Sequence, residues 1–286
     1  MPAAWRFDAI GTTWEIETPA PLGEAARGLV AREVEAFDAA WSRFRPDSLV
    51  TALAREGGDA AAPEDAAPML DLYVELSRET GGAVNPLVGT SLERLGYDAA
   101  YRLTAGAPVS APEDWETRLR WVDERLALDG PGVIDVGALG KGRLVDRLAA
   151  LLPDATAVDA SGDILVRGAP QRIALEHPYD ARRAIGVVTV TDEALCASAA
   201  NRRAWGDGLH HVLDARTGEP VRTVVATWAI ARTAMLADAT ATALFFDGGE
   251  RFARAHDVHW VRMLTDGRAE WSLGSRLERG EAELFR

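Results

Sequence analysis

Asp238 and Thr242 stand four residues apart in the alanine- and threonine-rich run Ala234–Phe246. On a helix that spacing puts both side chains on one face, one turn apart. A carboxylate and a hydroxyl so placed can share a hard cation such as Mg²⁺, which takes oxygen ligands and fills its shell with water or substrate phosphates. A plainer reading is also open, in which Thr242 bonds back to the carbonyl at position 238 and Asp238 pairs with an arginine. A second stretch, Ile134-Asp135-Val136-Gly137-Ala138-Leu139-Gly140-Lys141-Gly142, reads as a short buried strand, a glycine-punctuated turn and the start of a helix. Backbone N–H groups at a helix mouth point at an anion, glycines let the backbone come close, and Lys141 adds a full charge, so the corner suits a phosphate. An ordinary strand-to-helix corner would look the same. Asp135, in apolar surroundings, must be paired, either with N–H groups of the turn or with N–H or hydroxyl groups of a ligand. His210 and His211 are adjacent; on a strand they point to opposite faces, so at most one looks into a cleft.

The elements that must carry these residues follow from periodicity. Trp5–Ile10 and Thr12–Glu17 read as strands broken at Gly11. Val30, Val34, Phe37, Trp41 and Phe44 form an apolar stripe on a helix expected from about Gly23 to Phe44. Ser48 is placed to cap a short helix over Leu49–Arg55. Gly57–Pro68 reads as a loop, and Met69–Thr80 as a helix stopped by Gly81-Gly82. Arg143–Leu152 continues the helix that Lys141 opens. Ala157–Gly168 reads as strand, tight turn, strand, and Gln171–Glu176, Ile185–Thr191 and Val224–Ile230 as further strands. Helices are expected over Ala234–Phe246 and Glu250–His256, then a hairpin over Val258–Leu273. Strands and helices mix without regular βαβ alternation, which predicts an α+β fold: a largely antiparallel sheet packed with helices.

Composition narrows the function. The 286 residues suffice for one large core or two intimately packed lobes, and residues 1–286 read as a single domain. A net charge of −13 argues against nucleic acid as the main partner. No apolar run is long enough to span a membrane, and the N-terminal stretch lacks a basic segment followed by an apolar one, so the expected location is cytoplasmic. Cys196 is the one cysteine, which excludes a disulfide framework and a thiolate metal cluster. Phosphate-loop, dinucleotide-fold, zinc-peptidase and serine-hydrolase motifs are absent.

Taken in chain order, the motifs resemble the ApbE family of FAD:protein FMN transferases. Ile10-Gly11-Thr12 is similar to the family's M-G-T, Trp41–Ser48 to its F-S-R-Y/F-x-x-x-S, and Thr80–Gly89 to T-G-G-A-F-D-P-T-V-G. Ile134–Asp146 resembles D-L-G-G-I-A-K-G-Y-A-V-D, and Asp159–Gly168 the G-G-D-I element. His211–Pro220 is similar to H-I-I-D-P-R-T-G-x-P, and Ala237–Leu244 to A-D-A-L-A-T-A-L. The likeness runs from Ile10 to about Gly248.

The resemblance implies a T-fold-like ApbE architecture that binds FAD and Mg²⁺. Asp238, Thr242 and the carbonyl of Ala138 would hold the magnesium. Ile10, Phe44, Asn85, Asp135, Lys141 and His211 would contact FAD, with Lys141 and His211 also serving catalysis. The implied reaction transfers FMN through a phosphoester bond to a threonine or serine of an acceptor protein, releasing AMP. A Mg²⁺-dependent FAD pyrophosphatase giving FMN and AMP, or a flavin binder without turnover, uses the same residues. The chain departs from the family pattern at Ala54, Asn85, Ser161 and Asn201, positions expected around the flavin pocket.

Overall fold

The computed structural model describes residues 2–206 and 208–285. Its centre is an eight-stranded antiparallel sheet, in the order Ala3–Ala9, Thr12–Thr18, Ala157–Asp159, Asp163–Val166, Glu193–Ala199, Val224–Ala231, His259–Leu264 and Ala269–Ser272. All eight residues of Val224–Ala231 are buried. That follows from cover on both faces, which removes the polar alternation of a half-exposed strand. Trp228 and Ile230 enter a core beneath a smaller sheet built from Gln171–His177, Asp180–Val190 and Ala282–Leu284. Ala229 and Ala231 face the helices. A second small sheet joins Gly57–Ala61, Arg125–Asp129 and Leu119–Val122. Among the described residues no helix is long and apolar enough to cross a membrane.

Two helices position the chemistry, Gly140–Leu151 and Ala234–Ala243. They touch at Gly142, where an added Cβ would lie 2.2 Å from the Ala234 carbonyl oxygen and 2.8 Å from Asp238 Cβ. Each helix caps the other. Asp146 of the first accepts the N–H groups of Ala234 and Met235 at 2.8 and 2.9 Å. Asp238 of the second accepts the N–H of Gly142 at 3.0 Å. Both carboxylates thus satisfy orphan donors at the positive end of the neighbouring helix. Thr233 adds an ordinary cap, accepting from the N–H of Leu236.

Several expectations need correction. The first helix ends at Trp41, not Phe44. Arg43 turns inward to Asp135 and to the Tyr97 carbonyl, which takes the chain off the helical path and Phe44 off the stripe. Gly57–Ala61, expected as loop, is a strand whose pairing with Arg125–Asp129 overrides weak local propensity. Ile134–Val136, expected as a strand, belongs to no sheet: the Asp135 N–H goes to the Pro86 carbonyl, and its carbonyl accepts the Tyr73 hydroxyl. The helix mouth is not an open anion cradle either. The N–H groups of Gly137, Ala138, Leu139, Gly140 and Gly142 are taken by Asp135, Tyr73, Val136 and Asp238. The stretch Trp205-Gly206-Asp207-Gly208 reads from its glycines as a turn, and its Asp207 lies outside the described residues.

Candidate active site

A cleft of about 1180 Å³ opens at the edge of the helix pair. It is somewhat larger than the ~300–1,000 Å³ usual for small-molecule sites, which leaves room for a dinucleotide-sized ligand. Ile10, Phe44, Asn85, Asp135, Ala138, Lys141, His211, Asp238 and Thr242 all line it. They come from segments more than two hundred residues apart in sequence.

At one end the two helices bring oxygen donors together. The Thr242 hydroxyl donates to the Ala138 carbonyl at 3.2 Å rather than back along its own helix; that back-bond is made by Thr240, to Leu236. Asp238 is buried and takes the Gly142 N–H rather than an arginine. Burial and the neighbouring Asp163 charge push its carboxyl well above the usual carboxylate range. Lys141 is on the first turn of the other helix, its ammonium 2.6 Å from the fully buried Asp163. Burial works against that ammonium, but Asp163 and Asp238 outweigh it and raise the lysine above its ordinary value. Among the described residues no three His, Cys, Asp or Glu side chains cluster as a metal site. Any cation held here would rest on a carboxylate, a hydroxyl and a backbone carbonyl.

The middle of the cleft is set by Asp135 and His211. Arg43 Nε donates to Asp135 Oδ2 at 2.6 Å, and the Gly137 N–H to Oδ1 at 2.7 Å. Burial pushes the Asp135 carboxyl up, but the Arg43 guanidinium and these bonds bring it below its ordinary value. The two histidines separate, although only His210 is on a strand, Leu209–His210, and His211 stands at the bend after it. His210 is buried, with Nε2 on the Val221 carbonyl at 2.8 Å and Nδ1 accepting the Val212 N–H. His211 lines the cleft, and burial together with the Arg203 charge lowers it to about 3, so its imidazole is neutral. Trp41 Nε1, Arg43 Nη2 and His211 Nδ1 are buried with no hydrogen-bond partner among the described residues, and all three residues line the cleft. Buried polar groups left orphaned are costly, and their concentration here is what a polar ligand would relieve.

The far end is aromatic. Phe44 and Tyr101 stack at 5.4 Å with 11° between planes, Tyr97 stacks on Trp205 at 5.4 Å, and Arg43 lies 4.2 Å over the Phe44 ring. Ile10 sits at the rim in a left-handed turn, φ 42, rare for a β-branched residue. Asn85 lines the cleft, but its amide is spent on the backbone: Nδ2 donates to the Pro112 carbonyl and Oδ1 accepts the Leu87 N–H, both at 2.8 Å. Of the four departures, Asn85, Ser161 and Asn201 line the cleft and Ala54 does not; the Ala54 carbonyl accepts the N–H of Gly132 instead.

Sequence reasoning missed Arg43, Tyr73, Asp163 and Arg203. Arg43 and Asp163 fall inside motifs already recognised, and the available signal was a charged residue directly before an apolar one, Phe44 or Ile164. Tyr73 shares the buried face of its helix with Met69, Leu72 and Leu76, where a tyrosine reads as packing, yet its hydroxyl ties Asp135 to Ala138. Nothing local marks Arg203.

The ApbE family model matches residues 10–261 of the chain. An FAD:protein FMN transferase of Rhodobacter capsulatus is 29% identical over an alignment 294 residues long, which covers 91% of this chain and 55% of that protein. One of Treponema pallidum (strain Nichols) is 29% identical over 255, covering 73% of this chain and 68% of its own. The chain therefore spans little more than half the length of the first of these relatives. The crystal structure of the ApbE protein of Thermotoga maritima superposes with a TM-score of 0.82 at 23% identity, covering 99% of this chain and all of the other. The flavin transferase ApbE from Vibrio cholerae gives 0.79 at 22%, covering 96% and 97%. These superpositions establish the fold.

Proposed function

The chain belongs to the ApbE family, and from that premise we propose that it is a Mg²⁺-dependent FAD:protein FMN transferase acting on a threonine or serine of an acceptor protein. The observation that carries the reading is the meeting of the Ala138 carbonyl, the Thr242 hydroxyl and the Asp238 carboxylate beside Lys141 at the floor of a dinucleotide-sized cleft. All three are hard oxygen donors of the kind magnesium takes, with coordination positions left for water and phosphate. They would hold the ion, which when bound neutralises a diphosphate and stabilises charge on the leaving oxygen.

The chain's own residues supply the rest. Lys141 presents a charged ammonium to the diphosphate. Asp135, fixed by Arg43 and the Gly137 N–H, accepts hydrogen bonds from ligand N–H or hydroxyl groups. His211, neutral at ordinary pH, orients the ligand through a hydrogen bond at Nδ1 rather than by storing a proton. Phe44 and Ile10 give a planar ring an apolar wall, and Asn85 shapes the loop beside it. In the reaction the acceptor hydroxyl oxygen bonds to the phosphorus on the FMN side. The bond from that phosphorus to the bridging oxygen breaks, AMP leaves with the electron pair, and the hydroxyl proton passes to solvent. Since the cation donors come from positions 138, 238 and 242, residues 1–286 act as one functional unit on this reading.

The test is incubation of the protein with FAD, Mg²⁺ and a candidate acceptor. Flavin fluorescence that stays on the acceptor through a denaturing gel is expected. Free FMN and AMP without labelling would instead make the protein a pyrophosphatase, and unchanged FAD despite tight binding would make it a flavin binder.

A further inference from the structure

We infer that Asp163 is a positioning residue: it holds the Lys141 ammonium away from Asp238 and so keeps the Asp238 carboxylate open to a divalent cation. The inference rests on the cation site proposed above.

Asp163 is fully buried on the strand Asp163–Val166, opposite Cys196 in the adjoining strand. Neither of its carboxylate oxygens has another hydrogen-bond donor among the described residues; its partner is Lys141 Nζ at 2.6 Å. A buried ion pair contributes little to stability compared with apolar residues of the same size, so stability alone does not account for it. Its placement does. Lys141 immediately precedes Gly142, whose N–H is bound by Asp238, and Asp238 is the other carboxylate acting on the lysine. Of the two buried carboxylates, Asp163 alone makes contact with the ammonium, while Asp238 binds the N–H of the next residue. Were that ammonium to settle on Asp238, it would neutralise the one charged donor of the site and repel an incoming dication. Paired with Asp163, it leaves the Asp238 carboxyl without a cationic partner, one helical turn from the Thr242 hydroxyl that meets the Ala138 carbonyl. The lysine stays close enough to serve a phosphate, and the two positive charges, ammonium and metal, are assigned separate carboxylates.

The test is direct Mn²⁺ binding, read by electron paramagnetic resonance without FAD, for wild type, Asp238→Ala, Asp163→Asn, Lys141→Met and the Asp163→Asn/Lys141→Met double variant, each checked by thermal unfolding. Wild type is expected to bind through Asp238. Asp163→Asn frees the ammonium to collapse onto Asp238 and weakens Mn²⁺ binding by about tenfold or more. The double variant, which has no ammonium to misplace, returns to within about threefold of wild type. Rescue by a second loss is what a merely structural Asp163, or one that itself ligates metal, would not give. Unchanged affinity in Asp163→Asn overturns the inference, as does a loss that Lys141→Met fails to restore. If Asp163→Asn does not fold, the double variant, whose buried pair is uncharged, still decides: near-wild-type affinity supports the role and weak binding overturns it. If wild type and Asp238→Ala bind Mn²⁺ alike, the cation site itself fails and the inference with it.

Discussion

At the cation end of the cleft, each donor lies on, or within two residues of, one of two helices that cap one another through Asp146 and Asp238. At the aromatic end, Phe44, Tyr97 and Tyr101 stand on chain that is neither helix nor strand. Asp238 is 5% exposed and Tyr101 52%. The first end is fixed by charges and hydrogen bonds in a buried setting, where a misplacement of an ångström matters. The second is fixed by ring contacts, each worth ~1 kcal/mol and tolerant of adjustment. The contrast separates two tasks that a group-transferring cleft must combine, rigid placement of the reacting phosphate and adaptable grip on the rest of the ligand.

The contrast breaks first if the rigid end is not the chemical end. Asp238→Ala removes the charged donor and is expected to lower AMP release from FAD by at least about 10³-fold, or ~4 kcal/mol of barrier. Loss of its bond to the Gly142 N–H adds a stability cost of ~1 kcal/mol. An Asp238→Ala protein that releases AMP at the wild-type rate would falsify the assignment.

Helix spacing should rank next. Glycine to alanine in a helix ordinarily stabilises by ~1 kcal/mol. At Gly142 the new Cβ would meet the Ala234 carbonyl oxygen at 2.2 Å, so the helices must part. Gly142→Ala is expected to destabilise by ~1–3 kcal/mol in urea unfolding and to weaken Mn²⁺ binding. Gly28, on the helix Glu24–Trp41, has open space apart from one flexible arginine tip at 3.6 Å. Gly28→Ala should stabilise. Equal effects at the two sites would mean that the close helix contact does not constrain the cleft.

His211 offers a pH test of the boundary between the two ends. Its folded value, about 3, lies below its ordinary 6.5, so between these limits the unfolded chain binds the extra proton. Stability contributed by the neutral ring is complete above pH ~6.5 and falls on acidification toward pH ~3, by ~1.4 kcal/mol per unit. Comparing urea unfolding at pH 7 and 5, wild type should lose ~2 kcal/mol more than His211→Asn. Parallel losses would show that His211 is already charged or solvated when folded.

Much of this arrangement was legible before the fold was known, and unevenly so. The i, i+4 spacing of Asp238 and Thr242 put both on one side of a helix, and the adjacency of His210 and His211 separated their environments. Ala138 could be singled out only through the family resemblance, because a carbonyl oxygen leaves no mark on residue type. The reciprocal caps join residues about ninety positions apart, and no local pattern encodes them. The helix mouth at Gly140 is closed in part for the same reason: Gly142 gives its N–H to Asp238 and Ala138 to Tyr73, both distant in sequence, while Asp135 and Val136 take the other N–H groups. Gly57–Ala61 became a strand because Arg125–Asp129 pairs with it, a tertiary cause that glycine and alanine do not advertise.

The smallest expected effect is at Tyr101, and it sharpens the contrast most. Its ring stacks on Phe44 yet is half exposed, and its backbone, at φ 48, is left-handed, which costs a non-glycine residue ~1 kcal/mol. Removing the ring loses at most ~0.5–1.5 kcal/mol of contact, part of it already shared with water. Tyr101→Ala should therefore raise KM for FAD by only about two- to threefold and leave kcat for AMP release unchanged. Tyr101→Gly loses the same ring but relieves the backbone, so it should be the more stable variant by up to ~1 kcal/mol, with the same KM. A fall in kcat in either variant would mean that the aromatic end helps place the reacting phosphate, and the division of labour between the two ends would not hold.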